Sequence, residues 1–200
     1  MFNIKNNLSI EENYQQGLLP QRNLKDTFYH DENYSSRCDL SNFQLSSENR
    51  RIFKKTNTFS FKQIPLKDFS AYTPEFQKKL FTWSKTLEWE IPTSTIKTLF
   101  KDHIFNRLYV YSDENHQECA YAICYFSSTI SHIAYVFYDP KYAHHDLPIR
   151  LSLQVIQDSY DQKLKYCYLG RFNPETKLGY YKRNFPNFEY FINGQWHSYN

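Results

Sequence analysis

The feature that most restricts the fold begins at Asn106, where the side-chain pattern changes from a period near 3.6 to a period of 2. "NRLYVYSDENHQECAYAICYFSSTISHIAYVFYDP" reads as three strands, joined by a polar turn at residues 112–117 and a Ser-rich turn near 127–131. "DLPIRLSLQVIQDSYDQKLK" follows as a long amphipathic helix. Asp146 stands at its cap, Pro148 sits early, and Ile149, Leu153, Ile156, Tyr160 and Leu164 share one apolar face. The strand "YCYLG" comes next. A helix between "AYVFYD" and "YCYLG" is a crossover, so the two strands are expected to lie parallel in one sheet. Sheets of this kind bind ligands at the carboxyl ends of parallel strands. Those ends are Tyr138-Asp139 and Gly170-Arg171.

Upstream, "FSFKQIPLKDF" alternates like a strand as far as Pro65. "TPEFQKKLFTWSKTLEW" is helical, with Thr73 as cap, Pro74 in the first turn, and Phe76, Leu80, Trp83 and Leu87 on one face. "TSTIKTLFKDHIF" forms a second helix carrying Ile96, Leu99, Phe100 and Ile104. "SSENRRIFKK" is a third, capped by Ser46 or Ser47, on which Arg50, Arg51, Lys54 and Lys55 make a basic stripe. Residues 1–30 are polar and irregular, and partial order is expected there. After "YCYLG" come a polar loop, a short Tyr/Lys helix and a last strand, "FEYFINGQW", with a turn signal at Asn193-Gly194. The expected organisation is a partly ordered N-terminal region with the basic helix at 1–66 and an α/β domain at 67–200.

With 18 Tyr and 17 Phe but only 4 Gly, the core has to be built largely from rings. A net charge of +3 permits nucleic-acid binding without arguing for it. Cys119 and Cys124 lie five apart in a strand and are expected on opposite faces. No pair of the four Cys has metal-finger spacing, so reduced thiols and no metal are expected. No signal core or 18-residue apolar run is present, and a soluble, cytoplasmic protein is expected.

The order of these elements resembles the GNAT-like acyltransferase fold: a mixed central sheet with flanking helices, here preceded by a small N-terminal region. Phe137-Tyr138-Asp139-Pro140, Tyr168-Leu169-Gly170, Tyr181-Lys182, Phe185 and Gly194-Gln195-Trp196 resemble, in order and spacing, the arginyl/leucyl-tRNA–protein transferases. The helix "SSENRRIFKK" and the opening "QQGLLPQRN" resemble that family more distantly. Two departures stand out. Where the family carries a metal- or cluster-binding Cys group, this chain has Cys38 alone, and Leu178-Gly179 replaces a Lys-Met with Lys177 one residue out of register.

The resemblance implies transfer of arginine or leucine from aminoacyl-tRNA to protein N-termini, marking them for degradation under the N-end rule. Aminoacyl-tRNA would be the co-substrate, with no other cofactor, and partners would be acceptor N-termini rather than membranes. In that chemistry Asp139, with Tyr138, would hold or deprotonate an amine. Arg171 and Lys182 would bind phosphate or ribose of the acceptor end, and Tyr180 and Tyr181 would stack its terminal base. Gly170 and Lys177 border the same place, and Arg50 and Arg51 would touch the tRNA backbone. Two other readings stand beside this one, a non-catalytic tRNA- or degron-binding relative and an acyl-CoA N-acyltransferase. The turn "KYAHHDLPIR" has no Gly and contains Pro148, which argues against pyrophosphate binding.

Overall fold

The computed structural model describes residues 2–4, 7–89 and 91–199. In chain order the elements are β1 (Phe2–Ile4), α1 (Ile10–Gln15), β2 (Leu19–Pro20), β3 (Phe28–His30), β4 (Tyr34–Asp39), α2 (Ser47–Lys55), β5 (Ser60–Pro65), α3 (Pro74–Thr86) and α4 (Thr93–Lys101). There follow β6 (Arg107–Ser112), β7 (Glu118–Phe126), β8 (Ile130–Tyr138), α5 (Leu147–Asp161), β9 (Tyr166–Phe172), β10 (Phe188–Ile192) and β11 (Gln195–Ser198). The large sheet runs β11-β10-β4-β9-β8-β7-β6-β5, and β1, β3 and β2 form a second, small one. As the crossover predicts, β8 and β9 are parallel. Every other pairing among the described residues is antiparallel.

The sheet separates two apolar layers. Along β7, Tyr121, Ile123 and Tyr125 enter the layer of Phe76, Leu80, Ile96, Leu99 and Tyr14, while Ala120, Ala122, Cys124 and Phe126 enter that of α5. Burial on both sides is why "CAYAICYF" is an unbroken apolar run rather than an alternating one. Thr73 caps α3 by accepting from Phe76 N, and Ser46 caps α2 by accepting from Asn49 N.

Several local expectations change. Ile104 lies beyond the end of α4 but stays in its layer, and Leu87, just past α3, packs on the α5 side. Asp146 makes no side-chain cap on α5; it adopts φ 55° and pairs through its carboxylate with Lys55 at 2.8 Å. The buried face of α5 is Leu147, Leu151, Leu153, Val155, Ile156 and Ser159, together with Arg150 and Gln154, whereas Tyr160 is 41% exposed and Ile149 half-buried. The reason is double coverage: α5 lies on the sheet and also meets α2, where Arg150 stacks on Phe53 at 4.1 Å. Cys119 and Cys124 fall in the same layer, because the β6–β7 register skips Cys119 and this bulge reverses the alternation. All four thiols are free and buried.

Among residues 7–30, which exclude Met1, Lys5 and Asn6, order exceeds expectation. Ser9 and Glu12 close a capping box on α1, and Tyr14 is fully buried. Region 1–66 also supplies β4, between β9 and β10 in the same sheet as the later strands. The expected last strand is a hairpin, with Asn193 and Gly194 both at positive φ in its two-residue turn.

Candidate active site

β8 and β9 part almost as soon as they meet. Their ladder covers Ile130↔Tyr166, Ser131↔Cys167 and His132↔Tyr168 and goes no further. Just beyond it each strand carries a bulge against its outer neighbour. The β7–β8 register skips Ala134, and the β4–β9 register skips Leu169. A bulge bends and twists its strand, so two facing bulges turn the strands away from each other. The resulting split leaves main-chain groups of β9 without a strand partner.

Lys182 supplies one. Its Nζ donates to Leu169 O at 2.6 Å and to Arg171 O at 2.7 Å, while the intervening Gly170 carbonyl faces the other way and accepts from Ser36 Oγ at 2.7 Å. The Lys182 side chain can reach β9 because Gly179, at φ 65°, lies against Arg171 O where a Cβ would stand 2.6 Å away. Burial, aided by the Arg171 charge, pushes the Lys182 amine down to about 7.

On the other wall stands His132, only 4% exposed. Its Nδ1 is hydrogen-bonded to the Tyr14 hydroxyl at 2.7 Å, while its Nε2 is buried without a partner. Desolvation first, then the neighbouring Lys182 charge, pushes the imidazole down to about 3. Gly170, at φ 76°, sits between the two walls. A Cβ built there would lie 3.8 Å from His132 Nε2 and 3.9 Å from Lys182 Nζ.

The structure thus brings together Gly170, Arg171 and Lys182 of the expected site, with Gly170 and Arg171 inside β9 rather than at its end. Tyr138 faces the same turn: desolvation and the Tyr138 phenol raise the Tyr181 hydroxyl to about 12. The Tyr138 ring itself meets Trp89 edge-on at 5.7 Å. Arg171 is half-exposed and 3.6 Å from the buried carboxylate of Asp31. Lys177 and Tyr180 are exposed on the connecting loop, with Arg183 stacked on the Tyr180 ring at 3.6 Å.

Asp139 stands apart, seven residues past the ladder. Its Oδ1 accepts from Lys141 N at 3.1 Å, and Lys141 Nζ lies 3.6 Å from its carboxylate. The α2 charges have partners of their own. Arg51 grips Glu48 at 2.6 Å and Arg50 donates to Leu45 O. The helix is tied to the Tyr180–Asn184 turn by Asn49 Nδ2 on Asn184 O at 3.3 Å. Two surface concavities, of about 380 and 560 Å³, lie along the segment after β4, the first beside Arg183 and β10 and the second beside the end of α5, and neither includes Gly170, His132 or Lys182. Among the described residues no three His, Cys, Asp or Glu side chains group as a metal site, and no helix is long and apolar enough to cross a membrane.

Two residues of this site, Tyr14 and His132, escape the sequence reading. Ser9-x-x-Glu12 announces the helix that carries Tyr14, and His132 is the one imidazole inside an otherwise apolar strand run. Nothing local pairs them across 118 positions.

A mixed sheet with helices on both faces and one parallel crossover pair, β8 and β9, has the GNAT-like acyltransferase fold. Residues 66–192 match the family described as "Arginine-tRNA-protein transferase, C terminus", and the chain belongs to that family. No curated protein matches it in sequence. Among solved structures it is similar to L-PGS from Bacillus licheniformis (14% identity, 74% of this chain and 48% of that one, TM-score 0.51). It is also similar to the C-terminal domain of a candidate lysylphosphatidylglycerol synthetase from Agrobacterium fabrum (10% identity, 70% and 47%, TM-score 0.53). A third likeness is the GCN5-related glucosamine N-acetyltransferase region of a fungal multi-domain β-N-acetylglucosaminidase (14% identity, 80% and 20%, TM-score 0.50). The chain spans about half the length of the first two. At these identities the likeness is one of fold.

Proposed function

We propose that the protein transfers an amino acid, arginine or leucine, from charged tRNA to the N-terminal α-amine of acceptor proteins, marking them for degradation in the cytoplasm. The observation that carries this reading is the split beyond His132 and Tyr168, roofed by the Tyr180–Asn184 turn and contained within the family match. An aminoacyl ester is already activated. The protein therefore has to orient two partners and move a proton, and neither a nucleophile nor a cofactor beyond aminoacyl-tRNA is required.

In this reading the aminoacyl end enters beside Gly170, whose missing side chain leaves room for it. Arg171 and Lys177 meet the acceptor-end phosphates, exposed Tyr180 and Tyr181 stack the terminal base, and Tyr138 and Asp139 guide the incoming amine. Arg50 and Arg51, held by Leu45 O and Glu48, add charge along α2 without a phosphate contact of their own. An acyl-CoA reading fits less well, since the turn into α5 has no Gly and Pro148 removes a main-chain donor from its first turn. A non-catalytic tRNA-binding reading draws support from one feature, the engagement of Asp139 by Lys141.

The test is a screen of tRNAs charged with labelled amino acids against peptides beginning Asp, Glu, Lys or Arg. Label recovered at the peptide N-terminus is the expected result. Recovery with no charged tRNA in the set removes the proposal. Binding of tRNA with steep salt dependence, but without transfer, selects the non-catalytic reading.

A further inference from the structure

Resting on the transfer reaction just proposed, one question is which group accepts the proton of the incoming α-ammonium. An amine is nucleophilic only after losing it. Asp139 is a poor acceptor in place, because its carboxylate serves the Lys141 main chain and ammonium. His132 is closer to the split, yet its Nδ1 is committed to Tyr14 and the buried ring is a very weak base.

We propose that Lys182, in its neutral form, is the catalytic base of the transfer. The geometry carries the proposal. A neutral amine has two N–H bonds and one lone pair. Leu169 O and Arg171 O, at 2.6 and 2.7 Å, take the two N–H bonds and leave the lone pair for a third direction. Gly170 adds no side chain on that wall, and its Cβ position lies 3.9 Å from Nζ and 3.8 Å from the unpartnered Nε2 of His132. A buried polar atom without a partner is costly unless something binds it, so His132 Nε2 marks the same space as built to receive a polar group.

The groups facing the amine are Arg171 from β9 and His132 from β8, with Tyr14 of α1 behind it. Arg171 favours the neutral amine, and the Asp31 carboxylate is held on the Arg171 guanidinium. A base that changes state near 7 suits a reaction run near neutrality.

The step balances as follows. Lys182 takes one proton from the acceptor ammonium and becomes the ammonium itself. The freed amine attacks the ester carbonyl carbon, forming C–N as the bond to the ribose oxygen breaks. The second amine proton goes to that leaving oxygen, and Lys182 returns its proton to solvent.

The experiment uses the full chain, charged tRNA and an acceptor peptide, with kcat followed from pH 5.5 to 9. Wild-type kcat is expected to rise with pH through a single limb near 7. Lys182→Arg keeps donors for both carbonyls but holds its proton, and kcat is expected to fall about 100-fold or more with KM little changed. Lys182→Cys alkylated with 2-bromoethylamine restores an amine of nearly the same length. The four native thiols are buried and stay unlabelled in the folded protein, whereas position 182 is only partly buried and its introduced thiol is within reach of the reagent. The sulfur makes that amine less basic, so the limb is expected to move to lower pH. A merely structural lysine would restore activity with the limb unmoved. An unmoved limb, or an Arg variant as fast as wild type, overturns the role of Lys182 while leaving the transfer reaction standing. No transfer by the wild-type chain removes the reaction itself, and the proton role with it.

Discussion

The Tyr14 hydroxyl and His132 Nδ1 lie 2.7 Å apart, joining an N-terminal helix to the strand that opens the split, and neither side chain reaches solvent to any extent that matters. This bond clamps α1 over the site wall. Tyr14→Phe leaves the buried imidazole nitrogen unpaired, and a loss of about 1–3 kcal/mol in unfolding free energy by urea titration is the expected outcome.

Stability should also depend on pH through His132 and Lys182. The folded imidazole binds its proton only near 3, against an ordinary 6.5, so between those values the unfolded chain holds more protons. Stability therefore falls as pH drops from about 6.5 toward 3, by at most roughly 5 kcal/mol at about 1.4 kcal/mol per unit. Lys182, lowered from 10.5 to about 7, carries its burial cost in full below 7, and stability rises with pH from there toward 10.5. Urea midpoints of wild type and His132→Gln from pH 4 to 7 should converge at the neutral end.

Gly179 and Gly170 both occupy positive φ but differ in surroundings. Ala at 170 meets only ordinary contacts, so the backbone strain of about 1 kcal/mol is the whole cost. Ala at 179 adds a collision with Arg171 O and pushes on Lys182 Cδ at 3.3 Å. A loss of at least about 2 kcal/mol is expected, with transfer reduced more than by Gly170→Ala. Denaturation curves and the transfer assay on the two variants check the order.

Asp139→Asn keeps an oxygen for Lys141 N, so a change within about 0.5 kcal/mol in stability is expected. If the carboxylate guides the amine, transfer falls at least about tenfold. A variant with both stability and transfer unchanged would reduce Asp139 to a turn cap.

On α2, Arg50 and Arg51 already have partners within the chain. Replacing both by Ala is expected to change the slope of log K against log salt for tRNA by less than about 1, whereas losing a free phosphate contact changes it by about that much. Filter binding at three salt concentrations measures the slope.

How much of this was legible in the chain varies with the range of the forces involved. Thr73-Pro74 starts α3 where capping and proline geometry place it, and the helix between β8 and β9 makes their pairing parallel, because both follow from neighbours in sequence. Burial was misjudged where an element is covered twice. Tyr160 fits an amphipathic stripe, but α5 is wrapped by both sheet and α2, so the buried arc is wider and turned. Bulges at Cys119, Ala134 and Leu169 were also hidden, since skipping one residue costs little locally and is decided by what packs on either face.

By itself the chain determined the periods of its elements, their order and the parallel strand pair. Tertiary structure alone decided that β4 enters beside β9, that Tyr14 covers His132, and that Lys182 turns inward onto two carbonyls instead of out to solvent. The physical reason is that main-chain groups freed inside a parted sheet must find donors. Which side chain reaches them depends on distances in space that no local pattern encodes.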